Sequence, residues 1–456
     1  MTSNNTSSKH QLQLERGLTN RHIQLIIFGC TIGSGLFLGT VPALKLTGPS
    51  IILNYLIAGF VVYLVMRQLG EMVVEEPAAG SFSHFAYKYW GEQASFIAGW
   101  NSWILYILVS MAELSAVGQL MQFWLPTLPN WITTLVCFLA INALNLMHVK
   151  AYAETEFWMS LIKVLAVIGM IAFGAFLLLS GAGGEQASVA NLWRNEGGFF
   201  AGGLSGFTMA LSPVLFSLGG LELVGIAAAE ANEPKKAIPK AVNQTIAWLL
   251  AFYILSIAIL LMLFPWRQVI SGGSPFVLIF SKLGSDVTAN ALNVVIFSAA
   301  LSAYHACAYA GSRMLFSLAE KKNAPQFFAQ VSKRGVPFVA ILVSALATFA
   351  CVVVNFLFAE HAFSIFMMLV VVAALITWSM ISLSHLKFRE AMQRQCFAPS
   401  FKAIGSPVSN YLCLLFVALV IFALIKNGEI ASVVAIPLWL VFLSGLFVYK
   451  KKRGLS

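Results

Sequence analysis

Twelve apolar runs of about 18 residues or more lie between Ile23 and Tyr449, and each is long enough to cross about 30 Å of hydrocarbon as a helix. Few folds accommodate such a chain. With no water in the bilayer core, backbone groups must pair within each segment, so the expected fold is an all-α membrane bundle of 12 transmembrane helices. The runs are 23–46, 49–70, 94–123, 130–147, 156–180, 204–229, 244–264, 288–313, 337–357, 362–384, 409–426 and 430–449. Only 10% of residues are charged, against about 25% in soluble domains, which excludes the soluble globular class. No short cleavable apolar segment follows the polar first 22 residues, so no signal peptide is expected.

The net charge of +10 does not point to nucleic acid, because the basic residues sit between spans rather than on one folded face. With the N-terminus inside, 22 of the 28 Lys and Arg fall on the cytoplasmic side, five fall outside, and one, Lys163, lies within a span. That bias predicts that both termini are cytoplasmic. Trp124, Trp131, Trp193, Trp266 and Trp439 fall near span ends and are expected to anchor there. Six cysteines without CxxC spacing, most of them in apolar runs, read as buried thiols rather than disulfides or metal ligands.

Two spans are interrupted by glycine at comparable depth: Gly33-Ser34-Gly35 in the first, and Gly219-Gly220 followed by Glu222 in the sixth. Irregular backbone at membrane depth survives only where protein or a water-filled cavity satisfies it, and paired breaks point to a substrate site. At the first, free N–H groups and the helix dipole suit a carboxylate, with Ser34 as an added donor. Tight helix packing through small residues is the competing reading. The second places Phe216, Ser217, two glycines and an acid within about two helical turns. Glu222 either responds to protonation or holds the break through backbone N–H groups.

Other polar groups lie at depth. Lys163, about 10 Å into the fifth span, either snorkels or supplies a buried, titratable cation. Glu113 sits mid-span, too deep to snorkel, and pairs with a basic group or contacts a substrate amine. His305, beside Tyr304, is an interhelical hydrogen-bonding group or an influence on substrate choice and pH response. The chain has no P-loop, HExxH or GxSxG motif, so neither an enzyme nor an ATP-driven pump is expected.

The residues resemble the amino acid–polyamine–organocation superfamily, and within it the bacterial aromatic amino acid and phenylalanine permeases. The resemblance covers nearly the whole chain. It is carried by Ile32-Gly33-Ser34-Gly35-Leu36-Phe37, Met66 to Pro77, Gly80 to Gly91, Phe216-Ser217 with Gly219-Gly220-Leu221-Glu222, and Ser312 to Phe316. It implies a LeuT-type 5+5 inverted repeat with broken first and sixth helices, plus two further helices. The segments are then a tail 1–22, a ten-helix core 23–384 with repeats at about 23–180 and 204–384, a loop 385–408, helices 11 and 12 over 409–449, and a tail 450–456.

The resemblance implies a secondary transporter of the cell inner membrane that imports free L-amino acids, aromatic ones in this branch, by proton symport and alternating access. No cofactor or metal is expected; the proton gradient drives uptake. Ile32, Gly33, Ser34, Gly35, Phe216, Ser217, Gly219 and Gly220 would bind the amino acid backbone, and Glu113, Tyr304 and His305 would also bind the substrate. Glu222 and Lys163 would couple the proton. One departure bears on the substrate: His305-Ala306 stands where the family pattern has Asn-Ser. A permease for proline, histidine, lysine or GABA, a channel, and a non-transporting amino acid sensor are the alternatives.

Overall fold

The computed structural model describes residues 32–76, 82–147, 149–195, 197–220, 234–270, 286–332 and 335–453. Those residues form helices and no strand. After a π-helical turn over Gly35–Gly39 come α1 (Thr40–Thr47), α2 (Ile51–Glu75), α3 (Phe82–Trp90), α4 (Glu92–Met121), α5 (Asn130–Asn145) and α6 (Val149–Ser180). Then follow α7 (Gly203–Met209), α8 (Leu211–Ser217), α9 (Pro234–Lys240), α10 (Ile246–Leu263), α11 (Asp286–Glu320), α12 (Phe338–Leu357), α13 (Ala362–Arg394), α14 (Val408–Lys426) and α15 (Ile430–Lys452). Among the described residues nine helical stretches are long and apolar enough to cross a membrane, and α5 and α7–α8 are shorter apolar helices.

The central helix is α4, with α11 and α13 packed against it. Polar side chains pin these contacts where apolar surface, in lipid, would supply no preference. Asn101 Nδ2 donates to Ala373 O and Thr377 Oγ1, both at 2.9 Å, while its Oδ1 accepts the Trp439 Nε1 proton at 3.2 Å. Trp439 is therefore tied to α4 and does not serve as an interfacial anchor. Trp124 meets Asn290 Oδ1 at 2.7 Å. Cys396 also departs from its expected burial, being exposed.

A proline explains the break in helical hydrogen bonding between α7 and α8. Pro213 has no N–H to offer Met209 O, its partner four residues back. Asn427 Nδ2 donates to that carbonyl at 3.3 Å, and Asn54 Nδ2 holds Phe207 O at 2.7 Å.

The described part of this motif, Met66 to Glu76, is a latch at one end of the bundle. Fully buried Glu71 accepts from Arg389 Nη1 at 3.0 Å and from the Ala403 N–H at 2.6 Å, and lies 2.9 Å from His385 Nε2. Arg67 covers the Phe401 ring and donates to Lys402 O. These contacts extend α13 to Arg394, ten residues past the expected span end at 384. Beyond it, Glu76 pairs with Lys88 and His84. Burial alone would push the Glu76 carboxyl up, but the hydrogen bonds from Lys88 and His84 outweigh it and hold the group below its ordinary value.

Candidate functional site

The site forms where the two broken helices meet. Ile32, Gly33 and Ser34 are buried and lead into the π-helical turn. A helix start leaves its first N–H groups without intrahelical partners. One of them finds a carboxylate: Ser34 N–H donates to Glu113 Oε2 at 3.0 Å and Oε1 at 3.2 Å. A Cβ on Gly33 would strike Glu113 Oε1 and lie 3.1 Å from Ala303 Cβ, so glycine is what lets α4 and α11 close on this backbone. The Ser34 hydroxyl is buried with no hydrogen-bond partner among the described residues.

At the second break, α8 ends at Ser217. The Leu218 and Gly219 N–H groups turn back onto Leu215 O and Phe216 O at 3.1 Å, and Gly220 takes φ 89°, which side-chain-bearing residues rarely adopt. Ser217 joins the breaks, its Oγ donating to Gly35 O at 2.8 Å, while Tyr253 OH on α10 donates to Ser217 O at 2.7 Å. Phe216 is 6% exposed and lies edge-on to Phe363, with ring centroids 5.6 Å apart. Thus Ile32 to Gly35, Glu113, Phe216 and Ser217 come together, with Gly219 and Gly220 following directly in the chain. Glu222 lies outside the described residues.

Tyr304 and His305 are not brought to the breaks. Ala303 is the α11 residue facing Gly33, and at about 100° per residue the next two positions turn away. Tyr304 OH accepts from Asn142 Nδ2 on α5 at 2.7 Å, and His305 faces α6.

The sequence profile described as "Amino acid permease" matches residues 22–455. The chain belongs to the amino acid permease family. It is 56% identical over 447 residues to "Aromatic amino acid transport protein AroP" of Escherichia coli O6:H1, covering 98% of both chains. It is 38% identical over 446 residues to "Uncharacterized amino acid permease YtnA" of Bacillus subtilis (strain 168), covering 97% of this chain and 96% of that one. The crystal structure of the Eremococcus coleocola manganese transporter superposes with a TM-score of 0.60 at 11% identity, covering 100% of this chain and 98% of that chain, a likeness of fold alone.

This permease holds a second polar cluster between α6 and α11. Lys163 Nζ donates to Ser302 Oγ at 2.8 Å, and Ser302 Oγ donates to Glu156 Oε1 at 2.5 Å. Ser160 Oγ reaches the same oxygen at 3.2 Å. Lys163, Glu156, Ser160 and Ser302 are each 0% exposed, so Lys163 does not snorkel. His305 Nδ1 lies 3.5 Å from Glu156 Oε2, an oxygen that makes no hydrogen bond among the described residues, and Tyr152 meets the imidazole edge-on at 4.7 Å.

That arrangement gives a prediction. Both variants lose ring packing, but asparagine keeps an N–H donor near the Glu156 oxygen and leucine does not, so His305→Leu is expected to destabilise the permease by about 1 kcal/mol more than His305→Asn. Thermal unfolding in detergent reads both. Equal losses in the two variants would show that ring packing, not the unmet oxygen, governs the position.

Glu156, Ser302 and Tyr253 were not singled out in the sequence. A signal existed for the first: Glu156, Ser160 and Lys163 stand at i, i+4 and i+7 on one helix face.

Proposed function

We propose that this permease is a secondary active transporter that imports aromatic L-amino acids by proton symport and alternating access. The observation that carries the reading is the first break: an N–H group there already receives a carboxylate, that of Glu113, while the second break lies against it through Ser217 and Gly35. Relatives named aromatic amino acid transport proteins, 55–56% identical over the chain, support the substrate class.

In this reading the substrate carboxylate meets N–H groups around Ser34 and Gly35, and its ammonium meets backbone carbonyls at both breaks. Phe216, resting on Phe363, closes the site. Glu113 competes with the incoming carboxylate for the Ser34 N–H, so it exchanges partners when substrate binds. Lys163 and Glu222 link protonation to the conformational equilibrium, which a proton drives only if it binds the two states unequally. Twelve spans in a 5+5 inverted arrangement plus two, with both termini in the cytoplasm of the inner membrane, complete the proposal.

Uptake of labelled phenylalanine into proteoliposomes, competed by each of the twenty amino acids with and without a proton or sodium gradient, tests it. Phenylalanine, tyrosine and tryptophan are expected to compete, and a proton gradient alone to drive accumulation. Stronger competition by proline, histidine or lysine overturns the substrate class; binding without accumulation points to a sensor, and conductance without counterflow to a channel. Glu222→Gln is expected to reduce gradient-driven uptake more than tenfold while lowering binding less than threefold. Equal loss of both would make Glu222 a structural residue.

A further inference from the structure

Away from the breaks, a cavity of about 540 Å³ opens between the junction of α3 and α4 and the helices α13, α14 and α15. Ile97, Ile376, Met380, Leu383, Ile421 and Leu440 give it apolar walls. Along α13 the lining runs from Leu375 to Leu383, and along α15 from Ile436 to Ser444, each about 12 Å at 1.5 Å per residue. That is close to the depth of one leaflet, about half of a 30 Å hydrocarbon core. Ile97, Leu383, Ile421 and Leu440 are half-buried, so the groove is open at its side. A narrow apolar slot of this length suits an acyl chain.

One end of the slot is basic. Trp90 lines it there, 40% exposed, and Lys387 Nζ lies 5.8 Å from the indole ring. Lys387 is exposed and stands one turn beyond Leu383 on α13. At the end of α15, Lys450, Lys451 and Lys452, followed by Arg453, begin six residues after Ser444. The long helix α4 starts at the same end with no side-chain cap from Gly91, leaving first-turn N–H groups, those of the lining residues Gln93 and Ala94 among them, to a ligand or solvent. The acid at this end, Glu92, lies within electrostatic reach of Lys450. An indole at the interface, an exposed lysine and a basic helix end together fit an anionic lipid headgroup.

We propose that this groove binds one anionic phospholipid of the surrounding bilayer, an acyl chain lying along α13 and α15 and the headgroup between Lys387 and the start of α4. The site is separate from the paired breaks and stands or falls independently of the transported substrate. A lysine near the surface contributes a factor of about five toward an anionic over a zwitterionic headgroup.

Native mass spectrometry of the delipidated full chain, titrated with phosphatidylglycerol or with phosphatidylcholine of identical chains, tests this. The expected result is one retained phosphatidylglycerol, held at least fivefold more strongly than phosphatidylcholine. Lys387→Gln is expected to reduce that preference about fivefold, and Ile421→Trp, which fills the slot, to remove the bound lipid. Because a groove-filling tryptophan can disturb folding, the exposed Lys387→Gln variant carries the test by itself. Equal retention of the two lipids overturns the proposal, as does a preference unchanged in Lys387→Gln, or a dimer whose formation excludes the lipid.

Discussion

Gly35→Ala is expected to reduce amino acid uptake more than tenfold and to lower the melting temperature in detergent. A Cβ at this position would lie 2.6 Å from Ser217 Cα and 3.2 Å from its Cβ. The obstacle is backbone, so no rotamer change relieves it, and the two broken helices must separate. Separation costs about 1–3 kcal/mol of packing and lengthens the bond from Ser217 Oγ to Gly35 O. Gly35 is not among the glycines with positive φ, so alanine is excluded by space alone. Gly219→Ala provides the contrast. Its Cβ would meet Phe216 O at 3.2 Å and Val370 Cγ1 at 3.9 Å, contacts that a shift of a few tenths of an ångström relieves. Its uptake is expected to fall less than threefold. If both variants transported alike, close approach of the two breaks would be dispensable.

How much of this was legible in the sequence depends on which force placed each residue. Hydropathy located the spans well where lipid alone decides the helix: 337–357 against Phe338–Leu357, and 409–426 against Val408–Lys426. It failed at α13, whose last ten residues leave the apolar run but are held by Glu71, more than 300 residues away. The glycine breaks were legible because two recur at comparable depth, each beside polar residues, where irregular backbone needs a partner. The partner of Glu113 was not, because a backbone N–H carries no sequence signature. Glu156 was overlooked because it fell at an expected span end, where a carboxylate is commonplace; only its helical spacing from Lys163 marks it. Ala303 and Tyr304 are neighbours in sequence, but one step along a helix turns a side chain by about 100°, and it is Ala303 that faces Gly33.

The cluster at Glu156 and Lys163 leads to the second large effect. Lys163→Met is expected to leave the Glu156 carboxylate buried at 0% exposure with the ammonium across Ser302 removed, and Glu156→Gln to remove the anion that Ser302 links to that ammonium. Removing one partner of a buried ion pair costs about 3–5 kcal/mol, and because these two charges meet through the Ser302 hydroxyl the low end, about 3 kcal/mol, is expected here. Each single variant is therefore expected to lose that much stability and more than tenfold in uptake. The double variant has no buried charge left to compensate at these two positions, and Ser302 can still bond the glutamine. Its loss of stability is expected to fall short of the sum of the single losses by at least about 2 kcal/mol, a coupling typical of groups in one network. Uptake separates structure from function in the same set. If the pair only holds α6 against α11, transport recovers with stability in the double variant. If Lys163 must change its protonation between inward and outward states, the double variant binds substrate but does not concentrate it, since Lys163 then no longer distinguishes the two states by proton affinity. Additive stability losses would refute the linkage through Ser302 itself.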